Sequence, residues 1–115
     1  MAMTKQELFD AMYTGLAKQG WKQAGSPGSC VYLDPKGCKC AVGQLIPDGH
    51  EGQSKDVNVR SLMLMYPDLG NKWGHENSGM LAKAQRCHDN CGFDMKNAFE
   101  LLAADLGLTV PEAQQ

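Results

Sequence analysis

Charge of one sign is scarce in this chain. Lys and Arg number 11 against 13 Asp and Glu, a net charge of −2. That balance argues against nonspecific duplex binding, which needs clustered cations facing phosphates. Long hydrophobic runs are missing: none approaches the ~20 residues of a bilayer-spanning helix. The opening MAMTKQELFD holds no apolar segment of signal-peptide type. Met1-Ala2 reads as a cloning remnant before a natural start at Met3, and residues 1–3 as a disordered beginning. A chain that is not exported stays in a reducing compartment, so cytoplasmic thiols are expected rather than disulfides. Five cysteines, an odd number, also fit no fully paired framework. No HExxH, P-loop or GxGxxG pattern occurs, which removes the zinc-protease and nucleotide-binding signatures. Repeats, linkers and low-complexity tracts are likewise missing. The 115 residues then read as one domain, long enough for a single modest core, with 109–115 as a tail.

What is present is a set of helix signals around one dense central segment. Thr4-Lys5-Gln6-Glu7 is a capping box, and Leu8, Phe9, Met12, Tyr13 and Leu16 follow at helical spacing. A helix is predicted from Lys5 to about Gln19, stopped at Gly20, with Trp21 folding back onto it. Ser29–Pro47 is the densest stretch. Cys30–Leu33 and Cys38–Ala41 read as two strands joined by a type I turn at Asp34-Pro35-Lys36-Gly37. Val42–Ile46 reads as a short buried helix before Pro47, and Asp48–Lys55 as a loop. Asp56 is placed to cap a helix from Val57 to about Tyr66, ended by Pro67. Pro67–Asn77 reads as a loop carrying Trp73 and His75. Ser78 opens a helix with Met80, Ala84, Cys87 and Cys91 as its stripe and Leu81 and His88 on the adjoining row. Asp94 opens a last helix, with Met95, Ala98, Phe99, Leu102 and Leu106 inward. The expected fold is α+β, four or five helices on one β-hairpin, with the hairpin thiols and His88 together at its centre.

Four groups could carry function. Cys38, Cys40, Cys87 and Cys91 form two close thiol pairs, with His88 as a spare ligand, and zinc takes four such donors in a tetrahedron. The Cys38-x-Cys40 spacing is tighter than the usual pair, and Cys87 and Cys91 also continue an apolar stripe, where cysteine acts as a small hydrophobe. Alternatively, Cys40 could be a thiol nucleophile at a strand–helix junction, where a helix dipole lowers its pKa, with His88 as base and Asp89 as orienter. Against this, adjacent helical residues point about 100° apart, and His88-Asp89-Asn90 equally suits the end of a helix. The dipeptides His50-Glu51 and His75-Glu76 read best as solvated loop groups. Tyr66, Leu69, Trp73 and His75, around a Gly/Asn-rich loop, could form a partner-binding surface; Trp73 could equally plug the core.

The run from Cys30 to Asp48, C-x-Y-x4-G-x-KCAVGxLIPD, resembles small uncharacterised proteins of tailed phages and prophages. The likeness extends to the opening TKQELFD helix and to an HDN motif at His88, Asp89 and Asn90. It draws attention to Cys30, Cys40 and His88, and it implies no particular activity. Small acidic phage proteins of this kind are often accessory factors, so the resemblance implies a non-enzymatic protein of the bacterial host cytoplasm that binds a host or phage protein. Inhibition of a bacterial defence system is the specific form expected, without cofactor or membrane partner; self-association as a homodimer is the other association this reading allows. The alternatives carried forward are a thiol- or zinc-dependent enzyme using Cys40 and His88, and a small structural zinc domain.

Overall fold

A computed structural model describes residues 2–21, 32–33, 37–55, 57–89 and 95–111. The expected hairpin is not formed. Among the described residues there is no β-strand; five α-helices and three short 3-10 turns make up the fold, which is therefore not α+β. One isolated antiparallel bridge, Leu33 to Lys39, stands where the two strands were expected. Part of that segment, residues 30–31 and 34–36, lies outside the described residues.

The bridge does not lengthen for two local reasons. Ala41 already has helical dihedrals and leads into a 3-10 turn over Val42–Leu45, so the returning strand ends after Cys40. In addition, the backbone of Lys39 is claimed by a side chain. The Gln19 carboxamide accepts from Lys39 N at 3.0 Å and donates to Lys39 O at 2.6 Å, the pairing that a neighbouring strand would otherwise supply. Gln44 Nε2 joins this network through Gln19 Oε1 at 3.1 Å.

Helix α1 spans Lys5–Lys18 behind a complete capping box on Thr4 and Glu7. It closes in a Schellman arrangement: Trp21 N bonds Leu16 O and Gly20 N bonds Ala17 O. Gly20 takes φ +73°, which a side chain resists. Trp21 is thereby turned back against Tyr13, edge to face at 4.9 Å between ring centres, as the sequence predicts. Helix α2 covers Val59–Met65, capped by Asn58, whose side-chain Oδ1 accepts from Ser61 N at 2.9 Å. Residue 56, the cap expected from sequence, is outside the described residues.

Pro67 does end α2, but it also begins a helix. The residue before proline avoids helical dihedrals, so Tyr66 is pulled to φ −124°, ψ 88°, and Pro67 takes the first position of α3, Pro67–Trp73. The expected loop is therefore mostly helix. A Cβ on Gly70 would lie 2.6 Å from Met63 O, so only glycine allows α3 this close to α2. Helices α4, Ser78–Asp89, and α5, Met95–Leu106, follow and pack on each other.

The core is made by the inward rows of these helices: Leu8, Phe9, Met12 and Leu16 of α1, Leu62 and Met63 of α2, Leu69 and Trp73 of α3, Leu81 and Ala84 of α4, and Phe99 of α5. Met3 is tied in as well, donating its N–H to Lys72 O at 2.9 Å and accepting from Asn77 Nδ2 at 3.1 Å.

Candidate interaction surface

The thiols are drawn into packing. Cys40 is fully buried, and its Sγ accepts from Gly43 N at 3.3 Å. A nucleophile needs an approach for its substrate, and this sulfur has none. His88 is 1% exposed, within the core. Cys87 is half-buried, and its thiol donates to Ala98 O at 3.9 Å, tying α4 to α5. Cys38 is half-buried and packs on the core. Among the described residues, no three His, Cys, Asp or Glu side chains are grouped to hold a metal ion. Cys30, Cys91 and Asn90 and the side chain of Asp89 lie outside the described residues.

The proposed aromatic surface divides. Leu69 and Trp73 are core residues at 1% and 0% exposure, because α3 turns its i and i+4 positions inward. They are unavailable as surface anchors. Tyr66 is half-buried and His75 exposed.

The loop dipeptide at His50 is more structured than its composition suggests. His50 Nδ1 accepts from Gly52 N at 2.9 Å, which caps the 3-10 turn Glu51–Ser54 and places the ring proton on Nε2. That N–H donates to Asp68 Oδ2 at 2.8 Å. Asp68, on the first turn of α3, is consequently held below the usual carboxylate range by the His50 bond. Tyr66 packs edge-on to the same imidazole at 5.0 Å. Both ring nitrogens are thus committed to holding the loop on α3.

The open feature of the surface lies elsewhere, between α2 and α4. Tyr32, Val57, Asn58, Val59, Ala82 and Gln85, with Arg86 at the rim, enclose a mostly apolar pocket of about 190 Å³. It continues into a broader groove of about 530 Å³ along Arg60, Ser61, Leu64, Gly79 and Lys83. The floor is fixed by polar ties: Tyr32 Oη donates to Val57 O, and Gln85 Oε1 accepts from Val42 N at 3.1 Å. The KCAVG segment thus supports the pocket from beneath. At the groove edge, Leu64 is 73% exposed.

Three cations stand around this groove with little to neutralise them. Lys83 reaches Asp105 only at 3.8 Å, both side chains being well exposed. Arg60 Nε donates to a neutral group, Ser78 Oγ, at 3.3 Å. Among the described residues Arg86 has no ion-pair partner.

Comparison with known proteins found no matching family model, curated protein or solved structure.

Sequence reasoning passed over the groove because its residues look ordinary one by one. The available signal was joint. With Val59, Leu62 and Met63 inward, Leu64 must lie on the outer side of α2. Neither α2 nor α4 carries an acidic residue before Asp89, in a chain that is acidic as a whole.

Proposed function

We propose that this protein is a non-enzymatic binding protein that acts on another protein through the face formed by α2 and α4. The observation that supports this reading most is Leu64. Leu64, exposed to 73%, matters because it carries the apolar lining of the groove out to its edge; one exposed leucine alone would mark nothing. Such a side chain at a groove edge is a natural anchor for a partner. The withdrawal of Cys40 into packing removes the main support for the thiol-enzyme alternative. The likeness of the KCAVGQLIPD segment to small phage proteins supports an accessory role, with a host or phage protein as target. Inhibition of a bacterial defence system is the finer form of the proposal, and it rests on that likeness.

The test is affinity capture from bacterial lysate with the wild-type protein and a Leu64→Glu variant as baits. Leu64 is exposed, so the variant should keep the wild-type circular dichroism and melting temperature. A protein enriched on the wild type and depleted at least about tenfold on the variant is the expected result, in line with loss of one apolar anchor. Equal capture by both baits, or no specific protein on either, overturns the reading.

A further inference from the structure

We propose that the α2–α4 groove receives an acidic, amphipathic segment of the partner protein. An apolar side chain of that segment enters the pocket over Tyr32, Val59 and Ala82, and its carboxylates meet Arg60, Lys83 and Arg86. This rests on the protein-binding reading above and adds the chemistry of the partner.

The argument is one of complementarity. The floor of the pocket is apolar, whereas its rim is cationic. Helix α2 supplies Arg60, and α4 supplies Lys83 and Arg86; α2 holds no acid and α4 none before its last residue, Asp89, while Asp105 of α5 reaches Lys83 only at 3.8 Å. All 13 Asp and Glu lie outside 59–65 and 78–88, so these two segments carry only positive charge in a chain that is otherwise net acidic. Surface cations around an apolar slot, only Lys83 among them having an acidic contact among the described residues and that at 3.8 Å, favour an anionic partner in encounter and in register. Arg60 and Arg86 can each take a carboxylate in bidentate fashion, which Lys83 cannot.

The same charges argue against the other occupants. In a symmetric dimer across this face, each Arg60, Lys83 and Arg86 would meet like charges of the copy. A nucleic acid would set phosphates against the exposed Leu64 and the apolar floor, on a chain of net charge −2.

The experiment is a titration of isotope-labelled full-length protein followed by amide chemical shifts. The probes are a Glu/Leu amphipathic peptide, a Lys/Leu peptide of the same pattern and a single-stranded oligonucleotide. The Glu/Leu peptide is expected to shift Val59, Ala82 and Arg86, and to bind at least about tenfold more tightly than the Lys/Leu peptide, with affinity falling as salt rises. An Arg60→Glu, Arg86→Glu double variant is expected to reverse that order. Both positions are exposed, and the reversed preference itself shows that the variant is folded. Equal binding of both peptides, no reversal, shifts elsewhere on the protein, or tighter groove binding of the oligonucleotide overturns the proposal. So does concentration-dependent dimerisation in sedimentation that the double variant abolishes. Failure of the peptides with continued Leu64-dependent capture removes this inference and leaves the protein-binding reading standing. Loss of Leu64-dependent capture removes both.

Discussion

At the scale of single residues, the glycines show how strongly position decides the effect of one methyl group. Gly43 lies where the 3-10 turn passes under Tyr32, and a Cβ there would stand 2.1 Å from Tyr32 O, a backbone atom with no freedom to retreat. Gly79, near the start of α4, has nothing within 4 Å of that position and no left-handed φ. The same substitution should therefore have opposite signs. Gly43→Ala is expected to destabilise the protein by about 1–3 kcal/mol through overpacking. Gly79→Ala is expected to stabilise it by about 0.4–1 kcal/mol, by restricting the unfolded chain and favouring the helix. Urea unfolding of the two variants checks both; a neutral Gly43→Ala would mean that the turn and Tyr32 are not in such close contact.

At the scale of elements, the Gln19–Lys39 pairing replaces a piece of sheet. A side-chain carboxamide carries one donor and one acceptor in the geometry of a peptide group, so it can satisfy both backbone groups of Lys39. Gln19→Ala should leave these half-buried groups to water and cost about 1–2 kcal/mol. Gln19→Glu keeps an acceptor for Lys39 N but, when ionised, sets a carboxylate oxygen against Lys39 O. It is expected to be the more damaging at neutral pH. Chemical denaturation of the two variants side by side, repeated at acid pH where the new carboxyl can donate, checks the order and its reversal. The element boundaries follow equally local chemistry. Helix α5 closes as α1 does, with Leu108 N bonding Ala103 O and Gly107 N bonding Ala104 O at φ +71° on Gly107. Pro67 both ends and begins a helix because it lacks an N–H that the first turn would leave unused.

At the scale of the whole molecule, polar contacts of a few carboxylates shape the pH dependence of stability. The Asp68 carboxyl is lowered by its bond from His50, that of Asp48 by the bond from Lys39 and that of Glu100 by bonds from Lys96 and Tyr13. Each is depressed relative to the unfolded chain, so the folded state binds fewer protons in that range. The stability they contribute is present above the unfolded values, roughly pH 4, and is lost as pH falls through the folded ones. Asp48 and Asp68 are solvent-exposed and Glu100 is partly so, and each effect is accordingly small. Tyr13 works at the other edge. Burial, and then Glu100, raises its phenol. Its contribution is whole below the unfolded value of about pH 10 and lost as pH rises through the folded one. Glu100→Gln is therefore expected to flatten both limbs of a melting temperature–pH profile, since it removes the titrating negative charge from the acceptor common to Lys96 and Tyr13. An unchanged profile would show that these pairs do not persist in solution.

The helices were legible because their signals are local. The capping box at Thr4, the Gly20 stop, the inward rows of α1, α4 and α5 and the turn at Val42–Leu45 depend on residues within a few positions of one another. The hairpin and the loop were misread where a local signal had two outcomes. Strand formers around Asp34-Pro35-Lys36-Gly37 admit a ladder, yet whether it extends depends on what holds Lys39, and Gln19 is distant in sequence. Proline after Tyr66 ends one helix in any case; whether another begins depends on core space for Leu69 and Trp73. Charge balance, helical periodicity and the absence of acids from α2 and from α4 before Asp89 were thus determined by sequence alone. Tertiary structure alone decided that Cys40, His88 and Trp73 are sealed from water, and that Arg60, Leu64, Lys83 and Arg86 share one groove. Exposure and proximity arise from how separate elements pack, and no single element encodes that arrangement.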